Sequence, residues 1–579
     1  MARVEFAEEL RQTRWIRVMV ICFFICLALL IGKILTGIKD INDSWILEDV
    51  LPYFLLLALL YSTLVFFSSD LKLIAILTGI YLITINLIPN LKYVFIYGYN
   101  DPLIHYGSIQ HTTLLGYASG IGAYATQYEA APGMHILVSL LSTITGMNTL
   151  VAMKTFLVAT PFAIPLAIYF VAKRISLPLG LAKATLAFVA IASPVTYTYF
   201  GASAIYPVYV LFLYMLLLVA ACRRMSRPEI LVAIMLELGV LISHDITSLF
   251  LLVYLFSFVA ISKMGRLLRI LKAPRRLTIL IFGFIIIILA HFTLSSSISN
   301  FARIISLVEE LYSSRGLVAL SQYKTFYRLN FLEQIMIFFV RFGRDMFSIL
   351  LVFFAPLAYF KLNLDNTLRR FYKSLVLPLI LATTIFLLLL FLRSIVHREF
   401  YIYSILPFLG GLSILYLYRL LSKRFKKAVI VFSICGFVIL SCLIVYPLQP
   451  LVPKVKTSEG ISYYVLDLRL VNTVFDRSII SFVSTYNQRL HVWADAIMVS
   501  QIYALTNSSF YSLLNNNPSK SSILLVSHTD YTHTVPSGVD ALDREIYLQV
   551  CVQQANTLYN NGYSYAFLNF STIESGLGS

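Results

Sequence analysis

Apolar runs close to 20 residues long recur along most of this chain, and nothing constrains its fold more. As a helix, such a run is about 30 Å long, the thickness of a bilayer's hydrocarbon core. Inside lipid every backbone polar group has to be bonded within the segment, so continuous runs of this kind form helices. A transmembrane β-barrel would instead show alternating segments of about ten residues. Of the 579 residues, 59% are hydrophobic and 13% charged. That is about half the charged fraction of a soluble domain. The chain therefore reads as an α-helical polytopic membrane protein.

Spans are expected at about 16–38, 47–67, 72–95, 149–172, 178–198, 204–222, 277–295, 334–360, 374–392, 400–421 and 427–447. Two shorter apolar segments, 230–243 and 246–262, lie on either side of Ser243-His244-Asp245 and bring the total to about 13. The first of these is too short to cross, so His244 and Asp245 are expected below the outer surface, facing a bundle interior or an aqueous cavity. Residues 134–147 are short as well, and read as interfacial or re-entrant.

The net charge is +17. Its Lys and Arg sit in short clusters between apolar runs, the pattern of cytoplasmic loops rather than of a nucleic-acid surface, so no nucleic-acid partner is expected. One orientation, with the N-terminus cytoplasmic, puts every strongly basic short loop inside, including Arg369-Arg370-Lys373 and Lys423-Arg424-Lys426-Lys427. The basic N-terminal stretch and the run after it read as a retained first helix, with no small-residue cleavage site. This is the layout of a multi-pass plasma-membrane protein. The six cysteines follow no disulfide framework or zinc spacing.

Two domains are expected: a membrane domain, 1–447, and an extracytoplasmic domain, 448–579, richer in Asn, Ser, Thr and Tyr. In the second, Ser522–Ser527 and Tyr565–Phe570 read as strands. Helix-like pieces are expected near 480–505 and 540–560, which makes it a small α/β unit.

Chemistry concentrates in the large outer loop, 97–147. The part from Tyr97 to His135 has no Lys or Arg, but carries Asp101, Glu129, His105, His111 and His135. Asp101 before Pro102 fits a helix N-cap with proline at the first helical position. The same carboxylate could act as general base on a hydroxyl. His105, four residues on, shares its helix face. Glu129 sits at a turn before Pro132-Gly133. No cofactor is required by the sequence. A divalent cation is the one group that Asp101 and His105 could hold, although two ligands are fewer than usual. At the outer ends of two late spans stand Arg393, His397 and Arg398. Cations there run against the inside bias, and an arginine fork suits phosphate. The chain has no Gly-rich nucleotide loop, G-x-S-x-G elbow or H-E-x-x-H motif.

The order of these features resembles the GT-C superfamily of integral membrane glycosyltransferases, in their archaeal and other prokaryotic forms. The resemblance rests on an outer first loop bearing an acid (GYNDPLIHYGSI), then Y-x-x-x-P-G-x-H from Tyr128 to His135 with Thr145-Gly146 soon after, SHDITS at a membrane-embedded break, R-x-x-x-H-R from Arg393 to Arg398, and a small outer C-terminal domain. It covers most of 1–447 in layout, with loose motifs. It implies a GT-C-like helical bundle, a polyprenyl-phosphate-linked sugar as donor, and a glycan, lipid or protein as acceptor. It implies Asp101 as catalytic base; in the reading built on it, His105 and Glu129 help to orient the acceptor. His135, His244, Asp245 and His397 would line the substrate site, and Arg393 or Arg398 would hold the lipid phosphate. Many members pair two acids in the first loop, and here no second acid adjoins Asp101. The rival readings are a transporter or flippase for a lipid-linked saccharide, and a scaffold whose outer domain binds a partner.

Overall fold

The computed structural model describes residues 2–37, 50–92, 101–117, 132–200, 205–222, 225–268, 277–294, 347–348, 350–389 and 405–445, together with short strands between 451 and 568. The described membrane-domain residues are almost entirely helical. Helices α1 (Ala2–Gly37), α2 (Leu51–Phe67) and α3 (Leu71–Lys92) come first. They are followed by α4 (Asp101–Leu115), α5 (Gly133–Thr145) and α6 (Thr149–Ala159). A 3-10 turn at Thr160–Phe162 leads into α7 (Ala163–Arg174), α8 (Leu179–Phe200) and α9 (Ile205–Ala221). Next come α10 (Arg227–Ser243), α11 (Asp245–Leu268) and α12 (Leu277–Leu294). Helices α13 (Ala355–Lys361), α14 (Asn366–Leu389) and α15 (Leu406–Val445) complete the set.

Three of the described stretches are long and apolar enough to cross a membrane: Arg14–Thr36, Leu71–Ile88 and Thr149–Arg174. Most of the others are shorter apolar helices. Their outer faces carry large apolar side chains such as Ile25, Phe170, Phe282, Ile286 and Phe432. Water would penalise that surface and hydrocarbon does not.

The inner face of α3 is polar by comparison, with Thr78, Thr84, Asn86 and Asn90 buried. Tyr61 of α2 stacks on Tyr81 of α3 with ring centroids 4.9 Å apart, and Phe437 of α15 packs on Tyr61 at 5.3 Å. Tyr81 also shares a 2.9 Å hydrogen bond with Ser441. Helix α15 is too long to be straight here. Its first arm pairs Tyr418 with Phe66 of α2 (6.2 Å), its second pairs Phe437 with Tyr61 only five residues away, and Leu415 and Leu440 wall one cavity. A straight helix would hold Leu415 and Leu440 about 38 Å apart. The chain therefore doubles back inside this helical stretch.

Several expectations need correction. Arg369, Arg370 and Lys373 are not in a loop but in the first turns of α14, and the basic cluster at 423–427 is helical within α15. Helix α11 also runs past the expected end of its apolar segment to Leu268, into the basic stretch. Lys and Arg are good helix formers, so Arg369, Arg370 and Lys373 continue in helix, and the basic residues of α15 stay helical even though the chain reverses within it. The span expected at 149–172 is present as one apolar stretch, Thr149–Arg174, with a 3-10 turn at Thr160–Phe162 around Pro161, which cannot donate to the preceding turn.

Beyond the helices lie two sheets. Strands β1 (Leu451–Thr457) and β2 (Gly460–Val465) form an antiparallel hairpin, and β6 (His533–Thr534) adds to β2 in parallel. The second sheet has the order β4-β3-β5-β8-β7, built from β3 (His491–Ala494), β4 (Tyr511–Leu513), β5 (Ser522–Ser527), β7 (Asn556–Asn560) and β8 (Ser564–Leu568). Its β4-β3-β5 half is parallel and its β5-β8-β7 half antiparallel. Strands β5 and β8 fall where the sequence predicts them. Strands β3 and β7 fall inside the stretches expected to be helix-like, 480–505 and 540–560. The remainder of those stretches lies outside the described residues.

Candidate functional site

Helices α4, α5 and α6 make one small packed unit. Tyr106 and Ile109 of α4 bury against Met134 and Val138 of α5 and Leu150, Met153 and Leu157 of α6. Polar side chains add a second seam: Thr113 donates to the Ser139 hydroxyl (2.9 Å), which donates to the Ile109 carbonyl (3.1 Å). The α5–α6 turn is fixed by three local devices. Gly146 takes a left-handed conformation (φ 69°), the Ser142 hydroxyl donates to the Met147 carbonyl, and Asn148 caps α6 by accepting from the Leu150 N–H. The unit is tied to α3 by the Lys154 ammonium, which donates to the Asn90 carbonyl at 2.8 Å.

Within it, two histidines meet. His105 Nδ1 and His135 Nε2 are 2.8 Å apart, and the residues are 5% and 2% exposed. One ring donates its N–H and the other accepts, so the contact holds a single proton between two nitrogens. The sequence placed His105 beside Asp101 and His135 in a separate motif. The structure joins the two histidines across 30 residues of chain. Asp101 begins α4, one turn before His105, in agreement with the Asp-Pro start signal. The Asp101 side chain lies outside the described residues, as does all of Glu129. His111 is half-buried, and its Nδ1 has no hydrogen-bond partner.

The unit also touches the SHDITS break. A Cβ built on Gly133 would lie 2.6 Å from the Ser243 hydroxyl and 3.0 Å from the Ile242 carbonyl. The first turn of α5, with His135 two residues on, therefore rests on the end of α10. There the chain turns at His244, whose N–H donates to the Val240 carbonyl and closes α10. His244 Nδ1 accepts from the Thr247 backbone N–H at 3.2 Å and lies 2.9 Å from the Thr247 hydroxyl. A backbone N–H can only donate, so the proton of neutral His244 is on Nε2. His244 thus caps both helices at the turn, where the sequence reading expects a side chain that faces a bundle interior or a cavity. Asp245 opens α11, and its side chain lies outside the described residues. Arg393, His397 and Arg398 lie outside them as well.

One group escaped the sequence reading. Glu237 of α10 is 1% exposed, and its Oε1 has no hydrogen-bond partner. It is the one acid between Glu229 and Asp245 in an otherwise apolar helix, and that contrast was visible in the sequence. Among the described residues no three His, Cys, Asp or Glu side chains gather as a metal site. The hydrogen bond between His105 and His135 occupies a nitrogen on each ring, so both would have to turn to ligate an ion together.

No protein-family model matches the chain, and no curated protein matches it by sequence.

The arrangement suits acid–base work on a small polar group. A buried imidazole pair can hold and pass a proton, and a carboxylate one turn away on the same helix can accept one.

Proposed function

We propose that this chain is an integral membrane glycosyltransferase of GT-C type, moving a sugar from a polyprenyl-phosphate carrier to an acceptor hydroxyl on the extracytoplasmic side. One observation carries the reading: a buried His105–His135 pair stands one helical turn from Asp101 and beside the His244 break, within a bundle of apolar helices. Buried polar groups among such helices are costly unless used.

In this reading Asp101 takes the proton of the acceptor hydroxyl. The acceptor oxygen bonds to the anomeric carbon as its bond to the carrier phosphate breaks, and the phosphate leaves as an anion. His105 and His135 position the acceptor, with Glu129 on the same loop. Arg393 or Arg398 stabilises the charge that develops on the leaving phosphate. The bundle has about 13 spans, with its N-terminus cytoplasmic. The mixed sheets of 448–579 form part of an α/β domain that shares the outer side with 97–147.

The test is Asp101→Asn in membranes supplied with polyprenyl-linked sugars. A general base contributes about 10²–10⁴-fold, so transfer is expected to fall at least 100-fold in protein with an unchanged melting temperature. Wild-type transfer by the variant would remove Asp101 from the reaction. Mass spectrometry of glycans and carrier lipids in a deletion strain would identify the sugar. An unchanged glycan and carrier profile would remove the enzyme reading.

A further inference from the structure

A cavity of about 440 Å³ opens between α2, α8 and the two arms of α15, and none of its lining residues belongs to α4, α5 or α6. Its walls are apolar, from Phe66, Ala187, Leu415, Phe432 and Leu440. One cation breaks that wall. Lys183 is half-buried, and its ammonium donates to the Phe66 carbonyl at 3.0 Å. A neutral carbonyl satisfies one of three N–H donors and leaves the charge uncompensated. Among the described residues no carboxylate pairs with it; the ion pair nearby in sequence is Arg174 with Glu229.

The position of Lys183 is informative. It stands in the second turn of α8, beside Phe66 in the last turn of α2, and Lys173 and Arg174 end the preceding helix α7. Tyr418 meets Phe66, so Arg419 belongs to the same end of the bundle. The cavity is therefore a slot for hydrocarbon with one cation, Lys183, in its wall. Its volume is in the range of sites that take one small ligand or one chain. Basic pockets between membrane helices on the cytoplasmic side suit anionic headgroups.

We infer that this slot binds one anionic glycerophospholipid of the cytoplasmic leaflet, an acyl chain lying along Ala187 and Leu440 and the headgroup phosphate on Lys183. The inference rests on the membrane-embedded reading of the bundle and not on sugar transfer. It is distinct from the donor site, which lies on the outer side.

The full-length chain, delipidated in detergent, would be offered phosphatidylglycerol, phosphatidylcholine or a polyprenyl monophosphate, and bound lipid read by native mass spectrometry. One phosphatidylglycerol is expected to be retained at least ten-fold over phosphatidylcholine. Lys183→Met should abolish that preference and Lys183→Arg should keep it. Ala187→Phe, which fills the slot and leaves the cation in place, should reduce retention of both phospholipids, with melting temperatures confirming the fold. Equal retention of the two phospholipids, a preference unmoved by Lys183→Met and Ala187→Phe, or polyprenyl phosphate displacing phosphatidylglycerol would each overturn the assignment. Release of the wild-type chain from membranes at alkaline pH would instead defeat the membrane placement itself. Because sugar transfer is not read, a failure of the glycosyltransferase reading leaves this result standing.

Discussion

Gly133 and Ser243 approach so closely that a β-carbon on the glycine would sit 2.6 Å from the serine hydroxyl and 3.0 Å from the backbone carbonyl of Ile242. The contact sets how the loop unit carrying His105 and His135 rests on the SHDITS break. Gly133→Ala is expected to destabilise the protein by about 1–3 kcal/mol, as overpacking does, and to lower transfer more than stability accounts for. Gly133→Ala with Ser243→Ala should recover only part of the loss, because the Ile242 carbonyl stays in place. Full recovery in thermal unfolding would show that the serine side chain alone sets the spacing.

The histidine pair predicts a coupling. His105→Leu or His135→Leu leaves the other imidazole buried with a lost partner, at a cost of about 1–3 kcal/mol each. The double variant should cost less than the sum by at least about 1 kcal/mol. A double-mutant cycle read by unfolding in detergent measures this, and strict additivity would mean that the 2.8 Å contact is not made in the membrane.

At the start of α10, Ser226 and Glu229 form a capping box, and Arg174 bonds Glu229 at 2.6 Å. Partial burial pulls the Glu229 carboxyl upward. The backbone and hydroxyl of Ser226 and the Arg174 charge outweigh that, and hold it below its ordinary value of 4.5. A carboxyl lowered in the folded state stabilises the fold above its unfolded value, and that stability is lost as pH falls below it. Glu229→Gln should therefore cost stability at pH 7, with the gap to wild type closing toward pH 4. Ser226→Ala should cost about 1 kcal/mol. A gap that widens on acidification would mean that the ionised Glu229 carboxylate does not stabilise the fold.

Gly411 of α15 lies against Thr185 of α8, where a Cβ would stand 2.8 Å from the Thr185 Cα. Backbone meets backbone, so no side chain can yield. Gly411→Ala is expected to cost about 2 kcal/mol or more by forcing the helices apart, measured as detergent-resistant folded protein. Gly436→Ala, with open space around it, is the control and should be silent.

Much of the bundle was legible because apolar run length is a property of the chain itself. Helices α2, α8 and α9 begin and end within a few residues of the apolar runs that predict them. The basic clusters misled because positive charge reports a membrane boundary, whereas helix termination depends on backbone chemistry that Arg370 or Lys373 does not alter. At His491–Ala494, HVWA is a short aromatic and β-branched run, and its parallel neighbours at Tyr511 and Ser522 decide its state. The site was half legible. Asp101 and His105 share a face by spacing alone, but no local rule connects His105 to His135. That partnership exists because Ile109, Val138 and Met153 bury together and bring α4 onto α5.

The hydrogen bond between Tyr81 and Ser441 spans 360 residues of chain. Tyr61 and Tyr81 are among the first aromatic side chains made, and the Phe437 that closes their stack is among the last of the bundle. Synthesis at about 5–20 residues per second would separate them by roughly 20–70 seconds. For that interval Tyr61 has its partner Thr78 within the early pair of α2 and α3, at 2.8 Å, whereas Tyr81 waits for Ser441. Whatever covers that face of α2 and α3 in the meantime has to leave before Phe437 can close the stack.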